Sequence, residues 1–532
     1  MRIPFLPETL IGLAAFASLA VQAQQAPLVQ GPESVHDWYR AGNAFVERSK
    51  RQADDDRPRR AKNVILFVGD GMGVSTMTAA RILEGQMKGK PGEENRLSFE
   101  TFPNSAFSKT YSWDQQTSDS APTMTAISTG YKTREGMLSV DHTSARGECS
   151  AAVIDSKQLK TILEYAAQNG KSTGIVSTAR LTHATPAALY SHTAVRDWEA
   201  DANLPLTDVN TGAACRGAPA AVKDIARQLI EVSPAVRASL KVAMGGGRTN
   251  FLPAKVNGAD YFDPEYPATK GRRLDGRDLT KEWVGTRGTM GSAAYVWNKA
   301  QFDAFDPAAH SYLLGLFEPS HVQYEADKAK DPAGEPTLTE MTEKAVRMLQ
   351  HDRKGFFLHV EGGRIDHAHH AGNAKRALIE TIEMSNAIRR TMELLEASDQ
   401  LKDTLIIVTA DHSHVFTIAG YPSRGNNILG LVRDVPAKDG GPLDNSPDSN
   451  GLPYTTLGYQ NGPGVRTGGR PNLTSVDTTE VNFLQEAAIP LAAETHAGED
   501  VAIFARGPQS SLVRGSMEQN WIFHVMREAF RF

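Results

Sequence analysis

Residues 405–410 read Leu-Ile-Ile-Val-Thr-Ala, and they run directly into Asp-His-Ser-His at 411–414. An apolar run with β-branched residues is typical of a buried β-strand. Open α/β sheets bind their ligands beyond the carboxyl ends of the strands, and this run ends in carboxylate and imidazole side chains. The pattern therefore predicts a strand that delivers metal ligands to a functional site.

The same arrangement occurs at two other places in the chain. The apolar residues 64–69 lead into Asp70, and the apolar residues 356–360 lead into Glu361, Asp366 and His370. We expect the three sets of ligands to lie together, because the carboxyl ends of neighbouring parallel strands meet at one edge of a sheet. Three such strand ends predict one metal centre that holds more than one ion.

The rest of the chain alternates between helical and strand patterns. Apolar periodicity predicts helices near 73–84, 120–129, 157–169 and 374–397, and strands at 172–177, 242–244 and 501–504. This alternation predicts an α/β fold with a large central, mainly parallel sheet flanked by helices on both faces. Residues from 418 to about 480 are rich in Gly, Pro, Asn and Asp, and they predict a loop-rich insertion that covers the site.

The start of the chain indicates export. Arg2 precedes an apolar stretch at 11–21, and Val21-Gln22-Ala23 supplies small residues suited to cleavage after Ala23. We interpret residues 1–23 as a cleaved signal peptide, the alternative being a retained anchor, and we expect a periplasmic or secreted protein. The polar residues 24–62 predict an exposed N-terminal arm, and 63–532 the catalytic domain. We expect no membrane span after cleavage.

Charge and cysteine content narrow the class of protein further. A formal net charge of -5 over 532 residues gives no reason to expect a nucleic-acid partner. The two cysteines, Cys149 and Cys215, would meet an oxidising compartment after export, which favours one disulfide between them. The alternative is a pair of buried thiols that only pack.

Ser120 opens one of the predicted helices, in the context Asp-Ser-Ala-Pro at 119–122. A serine at a helix start is most often a simple cap, but it also lies beside free backbone amides that favour an anionic substrate. A serine hydroxyl needs an adjacent base or a metal ion to become a nucleophile, and this chain is rich in metal ligands. Paired metal ions can activate an attacking oxygen and hold the leaving oxygen of a phosphate ester.

Together these residues resemble the alkaline phosphatase family. The resemblance covers nearly all of the chain from about Asn63 onward. It rests on Gly-Asp-Gly-Met-Gly at 69–73, Asp-Ser-Ala at 119–121, Glu-Gly-Gly-Arg-Ile-Asp-His at 361–367, Thr-Ala-Asp-His-Ser-His at 409–414 and Glu-Thr-His-Ala-Gly-Glu-Asp at 494–500. The fold that it implies is the same helix-flanked parallel sheet.

The resemblance implies a role for each residue of the predicted site. Ser120 would be the nucleophile that becomes phosphorylated, and Arg196 would bind the phosphate through its planar fork. Asp366, His370 and His496 would hold one zinc ion, and Asp70, Asp411 and His412 would hold the second. The magnesium ion would lie between Asp70, Thr185 and Glu361.

The motifs are closer to the animal type than to the enterobacterial type. His183 and His367 stand where the enterobacterial pattern has Asp and Lys, around the third metal and the phosphate. The animal type also has a calcium site, and the matching positions are Glu265, the Phe317 carbonyl, Glu318 and Glu335. Glu335 departs from the family pattern, which has Asp, and the alternative is a set of solvated loop acids. The resemblance also implies a homodimer.

We therefore predict a metal-dependent enzyme that hydrolyses phosphate monoesters through a covalent phosphoserine and releases inorganic phosphate. One alternative is a phosphodiesterase or sulfatase on the same fold. Neither Cys149 nor Cys215 lies in the Cys-x-Pro-x-Arg context that such sulfatases need. From a different class, the alternative is an exported metal-binding protein without catalysis, and retention of the nucleophile, the arginine and all three ligand sets argues against it.

Overall fold

The computed structural model describes residues 35–52, 60–438, 441, 443–466 and 468–532, so the predicted signal peptide at 1–23 lies outside the described residues. The α-helices of the described residues are α1 Val35–Gln52, α2 Val74–Met87, α3 Ser120–Thr129, α4 Ala151–Ser156, α5 Ile162–Gln168, α6 Ala184–Ala187, α7 Ile225–Ile230, α8 Pro234–Ser239, α9 Leu279–Gly288, α10 Lys299–Ala304, α11 Leu338–Leu349, α12 Arg364–His370, α13 Ala374–Ala397 and α14 Trp521–Phe530.

The strands of the described residues form one large sheet and three small ones. They are β1 Asn63–Gly69, β2 Asn104–Lys109, β3 Ser172–Arg180, β4 Leu240–Gly246, β5 Lys255–Val256, β6 Ala259–Asp260, β7 Ala293–Val296, β8 Tyr312–Leu316, β9 Phe356–Gly362, β10 Thr404–Ala410, β11 Ser413–His414, β12 Phe416–Ile418, β13 Leu457–Gly462, β14 Ala487–Pro490, β15 His496–Ala497, β16 Val501–Arg506 and β17 Gly515–Glu518.

The large sheet has ten strands in the order β17-β2-β16-β10-β1-β9-β3-β4-β8-β7. Every pairing from β10 across to β7 is parallel. Strand β16 runs against both of its neighbours, β10 and β2, whereas β17 and β2 pair in parallel. The prediction of a mainly parallel sheet is confirmed, and the antiparallel direction of β16 is a feature that the pattern at 501–504 did not indicate.

Helices cover both faces of this sheet. Val64, Leu66 and Val68 of β1 belong to a core that includes residues of α3, α5 and α14. Ile65 and Phe67 belong to the opposite core, with residues of α2, α11 and α13. Because both faces are buried, the central parallel strands read as continuous apolar runs. The predicted helices on both faces are therefore confirmed.

The predicted helix at 157–169 is shorter in the structure, where α5 begins at Ile162. The Thr161 hydroxyl accepts a hydrogen bond from the backbone N–H of Glu164 at 3.2 Å, and the Glu164 carboxylate accepts from the N–H of Thr161 at 2.9 Å. This reciprocal cap fixes the helix start. The preceding residue Gln158 forms a β-bridge with Val140 instead. Helices α3 and α13 begin and end at the predicted residues.

The N-terminal segment differs from the exposed arm predicted at 24–62. Its described part contains α1, in which Trp38 and Val46 are only 4% and 5% exposed. These two residues are eight apart, so they lie on one helix face, and α1 packs against α14. Lys50 adds an ion pair to Glu528 at 2.8 Å. The prediction of exposure is wrong for residues 35–52, because a polar sequence conceals one apolar face.

Two connections hold the longer loops in place. The disulfide Cys149–Cys215 closes a segment with a sequence separation of 66, which stabilises the folded state by restricting the unfolded chain. Within the loop-rich insertion, β13 pairs with β12 and β14 and ties the insertion to the domain.

Among the described residues, no helix combines the length and the apolar character that crossing a membrane requires.

Candidate metal centre and active site

Three neighbouring parallel strands end together at one edge of the sheet. Gly69 of β1 is in register with Ala410 of β10 and with Gly362 of β9. Asp70 follows Gly69, Asp411 follows Ala410, and Glu361 precedes Gly362. These three carboxylates therefore converge at this edge, and all three are fully buried. The convergence follows from the parallel register, as the sequence patterns implied.

The first cluster at this edge adjoins Ser120. Ligand atoms of Asp70, Asp411 and His412 lie within 4.8 Å of one another. Ser120 is 2% exposed, and its hydroxyl oxygen lies 3.1 Å from Nε2 of His412. Helix α3 begins at Ser120, and the Asp119 carboxylate caps it by accepting a hydrogen bond from the N–H of Ala121 at 3.3 Å. The capping role thus belongs to Asp119 and leaves the serine hydroxyl facing the ligands.

Arg196 lies beside this helix start. Its guanidinium donates to the Asp119 carboxylate and to Nε2 of His183, the latter at 2.9 Å. Burial alone would lower the pKa of Arg196, but the carboxylates of Asp119 and Asp70 raise it above its ordinary value. A permanent positive charge therefore stands next to the serine, where an anionic substrate would be attracted.

The second cluster surrounds Asp366. Its Oδ1 atom lies 3.2 Å from Nε2 of His370, 2.9 Å from Nε2 of His414 and 3.3 Å from Nε2 of His496. Burial would raise the pKa of Asp366, but the imidazoles of His370, His414 and His496 hold it well below its ordinary value. One ionised carboxylate thus faces three imidazole nitrogens. The pairing of β11 with β15 sets His414 opposite His496 and so delivers the C-terminal ligand.

Backbone carbonyls orient the two outer histidines of this cluster. Nδ1 of His370 donates to the carbonyl of Glu494 at 2.5 Å, and Nδ1 of His496 donates to the carbonyl of Ser118 at 2.8 Å. Because a carbonyl only accepts hydrogen bonds, each Nδ1 carries the proton, and each Nε2 is free to bind a metal ion.

His414 has a role that the sequence analysis did not assign. Its Nδ1 lies 2.6 Å from the Glu494 carboxylate, and its Nε2 lies 2.9 Å from the Asp366 carboxylate. Burial lowers the pKa of His414, but Glu494 and Asp366 raise it to about 10, so in the absence of metal the ring is an imidazolium between two carboxylates. Asp366, His414 and Glu494 lie in three separate motifs, at 361–367, 411–414 and 494–500, and only the fold brings them together.

The third cluster shares Asp70 with the first. Ligand atoms of Asp70, His183 and Glu361 lie within 4.8 Å of one another, and the Thr185 hydroxyl donates to Asp70 at 3.4 Å. Burial and the nearby Arg196 guanidinium hold the pKa of His183 well below its ordinary value, so its imidazole is neutral. The ring of His367 lies 5.3 Å from that of His183. His183 therefore stands close enough to be a ligand itself.

The oxygen atoms of these clusters fit divalent cations. Asp70 Oδ1, Glu361 Oε1 and Asp411 Oδ2 are buried and have no hydrogen-bond partner in the protein. Burial raises the pKa of Glu361 to about 8 and that of Asp411 to about 6. Unpaired buried carboxylates are costly, whereas bound cations would compensate them, and the mixture of carboxylate and imidazole suits zinc.

A fourth acidic cluster lies apart from these three and changes one predicted ligand. Ligand atoms of Glu265, Glu318 and Asp331 lie within 4.8 Å of one another, whereas Glu335 is not in this group. The carboxylate of Glu335 instead accepts from the N–H of Gln323 at 2.8 Å. The Phe317 carbonyl accepts from Arg248 at 3.0 Å. The structure thus groups Asp331 with Glu265 and Glu318, while Glu335, the position that the sequence predicted, lies outside this group and keeps a buried Oε2 atom without a hydrogen bond.

Comparisons with known proteins agree with this geometry. The family model described as alkaline phosphatase matches residues 61–532. The chain belongs to the alkaline phosphatase family. It is 44% identical over 472 residues to an alkaline phosphatase of Gadus morhua, which covers 88% of this chain and 92% of that protein. It is 42% identical over 518 residues to the tissue-nonspecific alkaline phosphatase isozyme of Gallus gallus, and the match covers 97% of this chain and 93% of that protein. The predicted resemblance to the animal type is confirmed.

Membership of the alkaline phosphatase family confirms that the chain is a hydrolase of phosphate monoesters, and that its site uses divalent metal ions. Solved alkaline phosphatases share the fold. The enzyme of Thermus thermophilus superimposes with a TM-score of 0.59 at 23% identity, covering 90% of this chain and 93% of that one. The enzyme of the Antarctic bacterium TAB5 superimposes with a TM-score of 0.57 at 22% identity, and the match covers 90% of this chain and 99% of that one.

Proposed function

We propose that this alkaline phosphatase works through a covalent phosphoserine on Ser120. The observation that carries the proposal is the position of the Ser120 hydroxyl, 3.1 Å from His412 at the start of the ten-residue helix α3. Attack of Ser120 Oγ on phosphorus would form the serine–phosphate bond and break the bond to the alcohol. Water would then cleave the serine–phosphate bond and release inorganic phosphate. Transfer of phosphate to an added alcohol such as Tris tests for the intermediate.

We propose that two zinc ions occupy the two clusters nearest Ser120. Asp366, His370 and His496 would hold one ion, and Asp70, Asp411 and His412 the other. When bound, these ions would lower the pKa of the serine hydroxyl and neutralise charge on the transferring phosphoryl group. The buried carboxylate oxygens without hydrogen bonds support this assignment. His414 would keep Asp366 in place through its hydrogen bond of 2.9 Å.

Arg196 would bind two oxygens of the phosphoryl group. Its charge is held in position by Asp119 and by His183. A planar guanidinium matches the oxygens of a phosphate, and these charge-assisted hydrogen bonds are stronger than neutral ones. Because Asp119 also caps α3, the same carboxylate aligns the arginine with the nucleophile.

For the third cluster we propose magnesium, held by Asp70, Thr185 and Glu361. A histidine-to-aspartate variant of the TAB5 enzyme is described with Mg bound in its M3 site. In this chain His183 supplies a neutral imidazole at the cluster, and magnesium prefers oxygen ligands. We therefore infer that His183 weakens magnesium binding at this position.

Replacing His183 with aspartate should strengthen magnesium binding roughly tenfold or more, because a carboxylate oxygen replaces an imidazole nitrogen beside the ion. The same change should reduce activity at high pH, since a tightly held cation retains the phosphate and so opposes its release. Magnesium titration of the zinc-loaded enzyme measures both effects. The exposed His351→Asp is the matched control and should leave the titration unchanged. An unaltered magnesium dependence in H183D would contradict the assigned position.

We propose a calcium ion at Glu265, Glu318 and Asp331. Burial raises the pKa of Glu265 and of Glu318 to about 7, with nearby acids adding to the effect, and both oxygens of Asp331 are buried without a hydrogen bond. Arg248 balances part of this charge through an ion pair to Glu265 at 2.9 Å. A hard cation with oxygen ligands would balance the remainder.

Calcium at one hundred times its Kd should stabilise the protein against unfolding by about 2.7 kcal/mol. Asp331→Asn should remove most of this gain, whereas Glu335→Gln should keep it, because Glu335 lies outside the group of three carboxylates. Thermal unfolding with and without calcium is the measurement. The reverse order of effects would show that the family position, and not the position found in the structure, is the ligand.

Two further inferences remain predictions. The periplasmic or secreted location rests on residues 1–23, which lie outside the described residues. The homodimer rests on the family resemblance, and sedimentation equilibrium of the purified enzyme would measure its mass in solution.

A further inference from the structure

His321 lies against the metal centre although none of the three clusters uses it. Its ring centroid is 3.9 Å from that of His367 and 5.5 Å from that of His183. His183 in turn contacts the guanidinium of Arg196 at 2.9 Å. A single imidazole therefore separates His321 from the arginine that would bind the phosphoryl group. Arg180 fixes the ring, with its Nη1 atom 2.6 Å from Nε2 of His321.

Arg364 supplies a positive charge on the same side of the centre. Its guanidinium stacks on the ring of Tyr324 at 3.6 Å, and its Nε atom is buried without a hydrogen bond. Its backbone N–H donates to the hydroxyl of Thr178 at 3.1 Å, which fixes the residue at the start of α12. Among the residues that the structure describes, no carboxylate forms an ion pair with Arg364. Its charge is thus positioned but not neutralised by a partner.

His321 and Arg364 line one open pocket of about 380 Å³, which we name the His321 pocket. Ser320 and Gln323 add a hydroxyl and an amide to its wall. The one carboxylate of the lining, Glu318, already accepts hydrogen bonds from the Tyr266 hydroxyl at 3.0 Å and from the Gln323 amide at 3.4 Å. The lining thus combines hydrogen-bond donors and a cation without an ion-pair partner with a single carboxylate that is already hydrogen-bonded.

We propose that the His321 pocket is a second anion subsite, which binds a phosphate group carried by the alcohol part of the substrate. Phosphate monoesters with a second phosphate on the alcohol would then be preferred substrates. Arg364 provides the charge-assisted contacts and the Ser320 hydroxyl adds a donor, while the phosphoryl group that reacts lies at Arg196 and Ser120. His321 forms the wall towards His367, because both of its ring nitrogens already face N–H donors of Arg180. Binding of a remote substrate group raises kcat/KM when the contact persists in the transition state. The proposal rests on the phosphomonoesterase activity and deepens it.

The test compares two substrates that differ only in the remote group. These are butane-1,4-diol bisphosphate and butane-1,4-diol monophosphate, and kcat/KM is measured by phosphate release at constant ionic strength. After the factor of two for two equivalent esters, the wild-type enzyme should prefer the bisphosphate about tenfold. Arg364→Gln should remove most of this preference and Ser320→Ala part of it, and both should change kcat/KM for the monophosphate less than twofold.

Controls separate the subsite from a supporting role. Arg353→Gln removes an exposed arginine outside the pocket and should keep the full preference. Arg364→Lys retains the charge and should keep an intermediate preference. Phosphorylated 6-hydroxyhexanoate carries a carboxylate the same number of bonds away, and a preference equal to that for the bisphosphate would assign the pocket to anions generally and overturn its assignment to phosphate.

Two results would overturn the proposal entirely. One is a wild-type enzyme that shows no preference for the bisphosphate. The other is an equal loss on both substrates in R364Q and S320A at full zinc content, which would mean that these residues only support the metal centre. Thermal unfolding and elemental analysis of each variant establish that it is folded and metal-loaded. If R364Q does not fold, S320A and Gln323→Ala decide between the same outcomes, since both side chains line the pocket.

Discussion

Ser120→Ala should lower kcat for a simple phosphate monoester by roughly four orders of magnitude, because it removes the atom that forms the covalent bond to phosphorus. The fold should persist. The cap of α3 is the Asp119 carboxylate and not the serine hydroxyl, and the rest of the helix is buried against the core. Zinc should also persist, because the carboxylates and imidazoles of both clusters remain in place. Some slow hydrolysis by direct attack of water is expected to survive.

Trapping of the intermediate locates the nucleophile. Wild-type enzyme mixed with labelled substrate and quenched in acid should carry the label on Ser120, and S120A should carry none. Ser128→Ala is the matched control, since Ser128 lies buried near the end of the same helix and donates to the carbonyl of Ala188 at 3.1 Å. It should retain both label and activity. Label on another residue, or none where turnover is rapid and dephosphorylation is slowed at low pH, would refute the phosphoserine mechanism.

Removal of the metal ions should abolish activity, with a loss of at least roughly two orders of magnitude, and zinc with magnesium should restore it. Without cations the charge of Asp70, Glu361 and Asp411 is unbalanced in a fully buried site. Burial, followed by the charges of Asp411, Asp366 and Glu361, raises the pKa of Asp70 well above its ordinary value, and the nearby Arg196 offsets only part of this effect. The nucleophile also loses the positive field that makes its hydroxyl acidic.

The metal-free protein should in addition become less stable as the pH rises. The pKa of Glu361 is raised to about 8 from an ordinary value near 4.5, so the folded state holds a proton that the unfolded chain releases. The contribution of Glu361 to the free energy of unfolding is therefore fully present below about pH 4.5 and is lost as the pH rises through about 8. Metal binding should suppress this loss, since the carboxylate then ionises against a cation.

Exhaustive dialysis against a strong chelator, with elemental analysis before and after, is the measurement for both effects. Mock-dialysed enzyme is the control, and thermal unfolding at pH 6 and pH 9 compares the two forms. Full activity in protein shown to lack zinc would contradict the metal-dependent mechanism. A metal-free protein that is equally stable at both pH values would contradict the charge balance of the buried carboxylates.

The sequence by itself determined the sheet and most of the residues that gather at the proposed metal sites. Each ligand set follows a continuous apolar run, such as 405–410 before Asp411, and a run buried on both faces can be recognised without knowing its neighbours. Parallel register then places the strand ends together without further information. Helix α3 was equally predictable, since its cap, its apolar residues and its end at Gly130 are all local.

Only the tertiary structure decided which distant residues complete the site. His414 lies between Asp366 and Glu494, the His321 pocket joins two segments, and Asp331 joins the group of Glu265 and Glu318. The polar segment 35–52 became part of the domain for a similar reason, since α1 packs against the distant helix α14 and the Trp38 ring lies 5.9 Å from that of His142. These contacts join residues far apart in the chain, and a local pattern specifies a strand or a helix but not the surface that it will meet.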